Sequence, residues 1–492
     1  MKTMELLRTE LKTSPFALTE NGDPAYTSTL NANLDFFALV GGMRFNPKKV
    51  RELFARSLSE DYSTAIKNLF YTRDIRGGMG ERRSFRVCFR YLCDLYPADA
   101  ATLFPFVVEY GRFDDLFEAR DTKAEGAMID FVRRQLERDI ESFQRDGSTS
   151  LLPKWLPSIN ASNRKIVNTA LFFCKKLGYS KQDYRKLLSS LRRGKIIENR
   201  LREKDYSFDY SCVPSQAMHK YRKAFERNDL ERYRQYVQDA LEGVETVNTE
   251  TLFPYQIIKD YEIYSTQEPS DLVKKSMQMK WDSLPRNADA SNTIVVRDGS
   301  GSMTCCNALP LYMATSLAIL FSEQLTGEFK NRFITFSSHP QLIELPDSAP
   351  LWRKLELCYQ QNDCSNTDIS KVYDLIYRTS LKVQDPEDFI KRVVIISDME
   401  FDSGVKNIPT YEIMKEKFEK AGLPLPEIVY WNVAARGIRF PANKNHPNIR
   451  FLSGSSVHVL KALLNNETVS AVDLMYKALQ KYEKTTEGLQ KR

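Results

Sequence analysis

Four runs rich in β-branched and aromatic residues, separated by stretches of helical spacing, constrain this fold more than any other feature. They are 293–297 (Thr293-Ile294-Val295-Val296), 332–337 (Arg332-Phe333-Ile334-Thr335-Phe336-Ser337), 392–397 (Val393-Val394-Ile395-Ile396-Ser397) and 427–433 (Ile428-Val429-Tyr430-Trp431-Asn432-Val433). Near-continuous apolar strands of this kind belong to a parallel sheet covered on both faces. The intervening segments 308–325, 368–383 and 410–421 supply the covering helices. A last helix, roughly 469–483, is expected to pack back on the sheet or on the preceding region. Loops that follow neighbouring parallel strands emerge at one edge, where ligands of open α/β sheets gather.

Upstream the pattern is different. From residue 30 to about 280, apolar residues recur at three-to-four spacing, as in Phe85-Val87-Cys88-Tyr91-Leu92-Leu95 and Ile166-Ala170-Leu171-Cys174-Leu177. Breakers fall between such segments at Gly77-Gly78, Tyr96-Pro97, Gly147-Ser148 and Gly178-Tyr179. Many short helices with little strand signal point to stacked helix pairs, an α-solenoid without a clean repeat period. The expected division is a helical domain over 1–285 and a mostly parallel α/β domain over 286–492.

The first strand runs into Asp298-Gly299-Ser300-Gly301-Ser302, and the third ends in Ser397-Asp398. Thr367 lies between them in Cys364-Ser365-Asn366-Thr367-Asp368. Carboxylates and hydroxyls gathered at one sheet edge suit a hard cation, which takes about six oxygens and few charges. The order DxSxS, Thr, Asp resembles the metal-ion-dependent adhesion site of von Willebrand factor A domains. That resemblance implies Mg²⁺ or another divalent cation with Ser300 and Ser302 as direct ligands and Thr367 direct or through water. Asp298 and Asp398 would bind directly or through water. It also implies an open coordination position filled by an acidic group of a protein partner.

Further motifs extend the likeness. Leu69-Phe70-Tyr71-Thr72-Arg73-Asp74-Ile75-Arg76-Gly77-Gly78-Met79-Gly80-Glu81-Arg82-Arg83, Tyr110-Gly111-Arg112-Phe113-Asp114-Asp115-Leu116 and Asp209-Tyr210-Ser211-Cys212-Val213-Pro214-Ser215 resemble one bacterial and viral family labelled a domain of unknown function. Ser397-Asp398-Met399-Glu400-Phe401-Asp402 and Trp431-Asn432-Val433 resemble its C-terminal half. That family is in turn similar to the Ro autoantigen, or TROVE, proteins, which the likeness covers from about 25 to 485. The implied fold is a ring or arc of HEAT-like helices followed by a Rossmann-like von Willebrand A domain. The implied function is binding of structured or single-stranded RNA without nuclease activity.

Charge distribution agrees with a polyanion partner. From Lys154 to Lys204 there are fourteen Lys or Arg against three acids, while the whole chain carries only +7. Such a surplus attracts phosphates by counterion release. The candidate contacts are Lys175, Lys176, Lys181, Arg185, Lys186, Arg192, Arg193 and Lys195, with Trp155, Phe172, Phe173, Tyr179, Tyr184 and Tyr206 nearby for base stacking. Phe172 and Phe173 lie on an apolar stripe and are expected in the core. A second candidate is Arg73, Arg76, Arg82 and Arg83 around a glycine-rich turn whose backbone amides are open to a phosphate. The plainer alternative there is a helix-helix loop with arginines paired to Asp74 and Glu81.

Other classes find less support. The four histidines have no metal-pair spacing, and HExxH, GxSxG and GK[ST] are absent. A non-catalytic protein is therefore expected, with a metal-dependent protein scaffold as the alternative and a cryptic hydrolase as a third option. No stretch approaches the roughly 18 apolar residues of a membrane span, and the charged N-terminus lacks a signal-peptide block. The eight cysteines are scattered without CxxC spacing, as expected of reduced thiols in the cytoplasm.

Overall fold

The computed structural model of this chain describes residues 16–192, 196–262, 267–286, 292–336, 339–361, 367–402, 408–461 and 470–489. It opens on an antiparallel hairpin of β1 (Phe16–Leu18) and β2 (Pro24–Tyr26). The helical region follows as α1 (Ala32–Leu39), α2 (Pro47–Glu60), α3 (Tyr62–Arg73), α4 (Arg82–Leu95) and α5 (Pro97–Tyr110). It continues, short helices apart, through α6 (Glu125–Asp146), α7 (Arg164–Lys176) and α8 (Lys181–Leu191). The last three are α9 (Ser215–Asn228), α10 (Leu230–Leu241) and α11 (Asp271–Asp282).

The helix ends are written locally. Asn46, Asp61, Asn163, Ser180 and Ser270 each cap a helix by accepting an amide of the first turn. Pro47 and Pro97 open α2 and α5, where a missing N–H costs nothing. Gly147, at φ 74°, closes α6 in the left-handed conformation. In α4 the apolar stripe Phe85, Cys88, Phe89 and Leu92 is buried while Arg82, Arg83 and Arg90 stay exposed. That one-sided face is what tertiary packing stabilises.

The C-terminal region contributes β3 (Thr293–Asp298), β4 (Arg332–Phe336), β5 (Leu342–Glu344), β6 (Arg392–Ser397), β7 (Glu427–Asn432) and β8 (Ile449–Ser453). Its helices are α12 (Cys305–Ser322), α13 (Leu351–Gln360), α14 (Ile369–Ser380), α15 (Thr410–Lys420) and α16 (Ala471–Leu479). The sheet order is β5-β4-β3-β6-β7-β8. All pairs are parallel except β4–β5. Chain order thus runs outward in both directions from the β3–β6 pair. That reversal is where open α/β sheets carry their ligand crevice. Every residue of β3 and β6 is buried, as the unbroken apolar runs require. The stretch Gly301–Ser322, containing α12, is long and apolar enough to cross a membrane, but it is mostly buried and packs on β3.

The two regions are interleaved. One apolar core runs from Leu34 in α1 through Trp281 and Trp431 to Tyr482, and a smaller one gathers Tyr210, Phe225 and Tyr233. α1 lies on β8 so closely that a Cβ on Gly41 would sit 2.5 Å from the Gly454 nitrogen, and one on Gly42 2.5 Å from Asn432 Oδ1. Ser453 Oγ donates to the Phe37 carbonyl at 2.8 Å and accepts from Gly41 N at 3.1 Å. The C-terminal end returns to α3, where Asp74 Oδ2 accepts from Lys481 Nζ at 2.6 Å and Tyr482 OH at 3.0 Å. At the other end, β2 and the turn before it bridge to Phe440 and Asp402.

Because Ile395 is fully buried in β6, Ile395→Ala should cost about 2–5 kcal/mol, the range for large-to-small core truncations. It should lower the urea midpoint with an unchanged slope. An unshifted midpoint would mean that β6 is not the packed centre of the sheet.

Candidate metal centre

In-register pairing of β3 with β6 sets Arg297 opposite Ile396, so the following residues, Asp298 and Ser397, leave the sheet side by side. Ser397 Oγ donates to Asp298 Oδ2 at 2.6 Å. The turn after β3 folds back on its carboxylate, with Ser300 N donating to Asp298 Oδ1 at 2.9 Å. Ser300 Oγ and Ser302 Oγ lie 2.9 Å apart, and the Ser302 hydroxyl is near enough to the Asp398 carboxylate to favour its ionised form. Met399 takes the left-handed conformation at φ 64°, which bends the loop so that Glu400 N donates to Asp398 Oδ1 at 3.2 Å. Thr367 is tied to that loop by its carbonyl, which accepts from Asp402 N at 3.1 Å.

The electrostatics are unbalanced. Asp298, Ser300, Thr367 and Asp398 are all nearly inaccessible, at 1–2 % exposure. Burial, and then the neighbouring Asp398 carboxylate, push Asp298 up to about 6. Burial raises Asp398 as well. Asp398 Oδ2 is buried without a hydrogen-bond partner, and Arg436 Nη2 stands 3.3 Å from it outside hydrogen-bond geometry. Two adjacent buried carboxylates, one with an orphaned oxygen and flanked by serine hydroxyls, are a donor set suited to a divalent cation. Their hard oxygen character favours Mg²⁺, Mn²⁺ or Ca²⁺ over softer metals. Among the described residues no group of three or more His, Cys, Asp or Glu is arranged to hold a metal ion, so any cation here relies on neutral hydroxyls for the rest of its shell.

Three residues near the mouth were not among the expected site residues. Arg436, in the loop after β7, donates through Nη2 to the Ser302 carbonyl at 2.8 Å and through Nη1 to Glu20 Oε2 at 2.7 Å. Asn21 Nδ2 donates to Thr367 Oγ1 at 3.2 Å and to the Glu400 carbonyl at 2.7 Å. Glu20 N donates to Glu400 Oε2 at 2.7 Å. The turn dipeptide Asn21-Gly22 signals the hairpin; nothing local in the sequence signals Arg436.

The basic candidates divide. Lys175, Lys181, Arg185 and Lys186 are exposed on α7 and α8, with Lys181 and Arg185 four apart on one helical stripe. Lys176 is exposed and paired with Glu125 at 2.7 Å. Arg192 faces inward instead, donating to the Pro153 carbonyl at 2.7 Å and to that of Leu156, so it holds the chain end of α8 rather than a surface. Arg193 and Lys195 lie outside the described residues. Phe173 is in the core as expected, and Phe172 packs beneath Arg120 and Lys176. Tyr184 is buried too, and Trp155 is covered by Arg112, whose guanidinium carbon is 3.8 Å from the ring centroid.

The glycine turn after α3 is not an anion cradle. Gly78, Met79, Gly80 and Glu81 donate their amides to the Asp74, Tyr71, Asp74 and Thr72 carbonyls. The turn's N–H groups therefore satisfy the end of α3, where carbonyls are left over. Arg73 is buried against Asp115 at 2.7 Å, and Glu81 pairs with Arg44 at 2.6 Å rather than with its neighbours. Arg76, facing Glu250 at 3.4 Å, and Arg82 and Arg83 remain exposed.

The chain is similar over 292–492 to a family described as a domain of unknown function (DUF7788). Over 19–114 and 174–293 it is similar to another so described (DUF2828). A relative from Acanthamoeba polyphaga mimivirus, uncharacterized protein L728, is 27 % identical across 95 % of this chain and 87 % of its own length. The change between the two families at 292–293 coincides with the start of β3.

Asp298 holds its proton more tightly folded than unfolded. Without a cation, its contribution to stability is therefore present below the ordinary carboxylate range and is lost as pH rises through about 6. Cation binding needs the ionised form, so stabilisation by Mg²⁺ should be small near about pH 5 and grow above about pH 7. At about one hundred times the dissociation constant it should reach about 2.7 kcal/mol. Thermal unfolding with and without Mg²⁺ checks this, and the increment should vanish in Asp298→Ala. An increment independent of pH, or retained in that variant, would contradict the assignment.

Proposed function

We propose that this chain is a non-catalytic, Ro-like RNA-binding protein in which a von Willebrand A-like sheet domain holds a divalent cation. In this reading the helical region is a HEAT-like array that presents α7 and α8 to RNA. The observation that carries the metal reading is the adjacency of Asp298, Ser300, Ser302 and Asp398 at the β3–β6 reversal, with Asp398 Oδ2 orphaned. The bound cation would supply positive charge and an open coordination position for an anionic oxygen. The chain's role is to hold the hydroxyls and carboxylates in place and to exclude water from them.

RNA binding is supported by exposed basic groups on two successive helices. Lys175, Lys181, Arg185 and Lys186 have no ion-pair partner among the described residues. Their ammonium and guanidinium groups can neutralise phosphates without reading sequence. Base stacking has less to offer, because the aromatics beside them are mostly packed or covered. The expected interaction is therefore electrostatic and tolerant of sequence.

Binding of single-stranded RNA should weaken steeply with salt, with a log–log slope of about −3 if four phosphates are neutralised. Fluorescence anisotropy over a salt series measures it. The combined change Lys181→Glu, Arg185→Glu and Lys186→Glu should weaken binding at least about tenfold across sequences and flatten the slope. A flat salt response in the unaltered chain would remove RNA from this account and favour a protein scaffold.

A further inference from the structure

The cation reading leaves one coordination position unassigned, and the fold brings a carboxylate of this same chain to its mouth. The turn Thr19–Asp23 is bolted across the loop that follows β6. Thr19 Oγ1 donates to the Phe401 carbonyl at 2.6 Å, Thr410 Oγ1 to Asp23 Oδ1 at 2.8 Å, and Gly22 bridges to Asp402. Gly22, at φ 96°, lets the turn close so tightly that Thr19 N donates to the Asp23 carbonyl at 2.8 Å. The tip of this turn is Glu20-Asn21, and Asn21 touches Thr367 itself. The bonds to Phe401, Thr410 and Thr367 join residues more than three hundred positions apart, so the placement of the tip is a property of the tertiary fold.

Between Glu20 and Asp398 stands one guanidinium. Arg436 donates through Nη1 to Glu20 Oε2 at 2.7 Å, while its Nη2 lies 3.3 Å from Asp398 Oδ2. A positive charge therefore already bridges the two carboxylates across the mouth. A divalent cation among Asp298, Ser300, Ser302 and Asp398 would supply that charge more strongly and would compete with Arg436 for the Asp398 oxygen. Glu20 is half-exposed, its backbone N–H is fixed on Glu400, and its carboxylate is held at the mouth by Arg436.

We propose that Glu20 is the chain's own ligand for the open coordination position, so that cation binding draws Arg436 off Asp398 and fastens the N-terminal hairpin to the sheet edge. This rests on the cation reading above. It makes the acidic occupant of the site a residue of this chain rather than of a separate protein, and it couples metal occupancy to the ordering of residues 16–26. Asn21 and Arg436 act as positioning residues: one holds the tip against Thr367, the other holds Glu20 in waiting.

Mn²⁺ and Mg²⁺ titrations by calorimetry on the full chain, paired with hydrogen exchange of 16–26, test the proposal. Glu20→Gln keeps the backbone bonds and should bind the cation about tenfold or more weakly, the scale of losing a supporting metal contact. Glu20→Asp keeps the charge but shortens the reach, so it should also lose affinity. Arg436→Gln, which removes the competitor, should bind more tightly. Exchange across 16–26 should slow with cation in the unaltered chain and not in Glu20→Gln. Equal affinity in the unaltered chain and Glu20→Gln would overturn the role of Glu20 while leaving the metal centre standing. Undiminished affinity in Glu20→Asp would reduce Glu20 to a distant charge and overturn it likewise. No uptake by the unaltered chain would sink the cation reading itself, and this inference with it.

Discussion

The register of β3 against β6 is the constraint on which the site depends. A parallel ladder holds two strands at about 4.8 Å, so residues that end them in step are forced together however far apart they lie in sequence. Here that places the Asp298 carboxylate against Ser397 and next to Asp398, at the end of two strands buried along their whole length. Two such carboxylates cannot both ionise cheaply in a buried setting. Their serine neighbours relieve some of the repulsion, and a cation would relieve the rest. A one-residue slip would turn Asp298 to the other face and dissolve the arrangement.

The interleaving of the chain ends gives that edge its surroundings. The N-terminal hairpin covers the loop after β6, α1 packs on β8, and the turn Gln480–Thr486 wedges against the end of α3 through Asp74. These contacts join the helices and the sheet into a single packed body, since the apolar core passes through both. A site whose mouth is built from residues 20, 21 and 436 is sensitive to that packing.

Much of the sheet half is legible because its elements have strong local signals. Unbroken β-branched runs mark β3, β4, β6 and β7 within a residue of their observed ends, and the helices expected at 368–383 and 410–421 occur at 369–380 and 410–420. The helix expected at 308–325 is regular from Leu309 to Ser322, because Cys306, Asn307 and Ala308 before it take left-handed φ values of 55–59° that break the turn from the helix. β5 and β8 escape notice: one has three residues at an edge, and the other, Ile-Arg-Phe-Leu-Ser, buries Arg450 beside Glu427. A count of positive charges does not say where a side chain points. Arg73 and Arg192 satisfy an acid and two carbonyls inside the protein, while Lys181 and Arg185 on an amphipathic face stay outside. Glu20 and Arg436 reach the loops after β3 and β6 only through tertiary folding, which no local pattern records.

Of all measurements, a crystal structure grown with Mn²⁺ and its anomalous difference map tests the candidate metal centre most directly. One strong peak is expected at the carboxyl edge between β3 and β6, at about 2.2 Å from the Ser300 and Ser302 hydroxyls. A map with no density there, or with Arg436 still seated against Asp398 and the ion bound elsewhere, would contradict it.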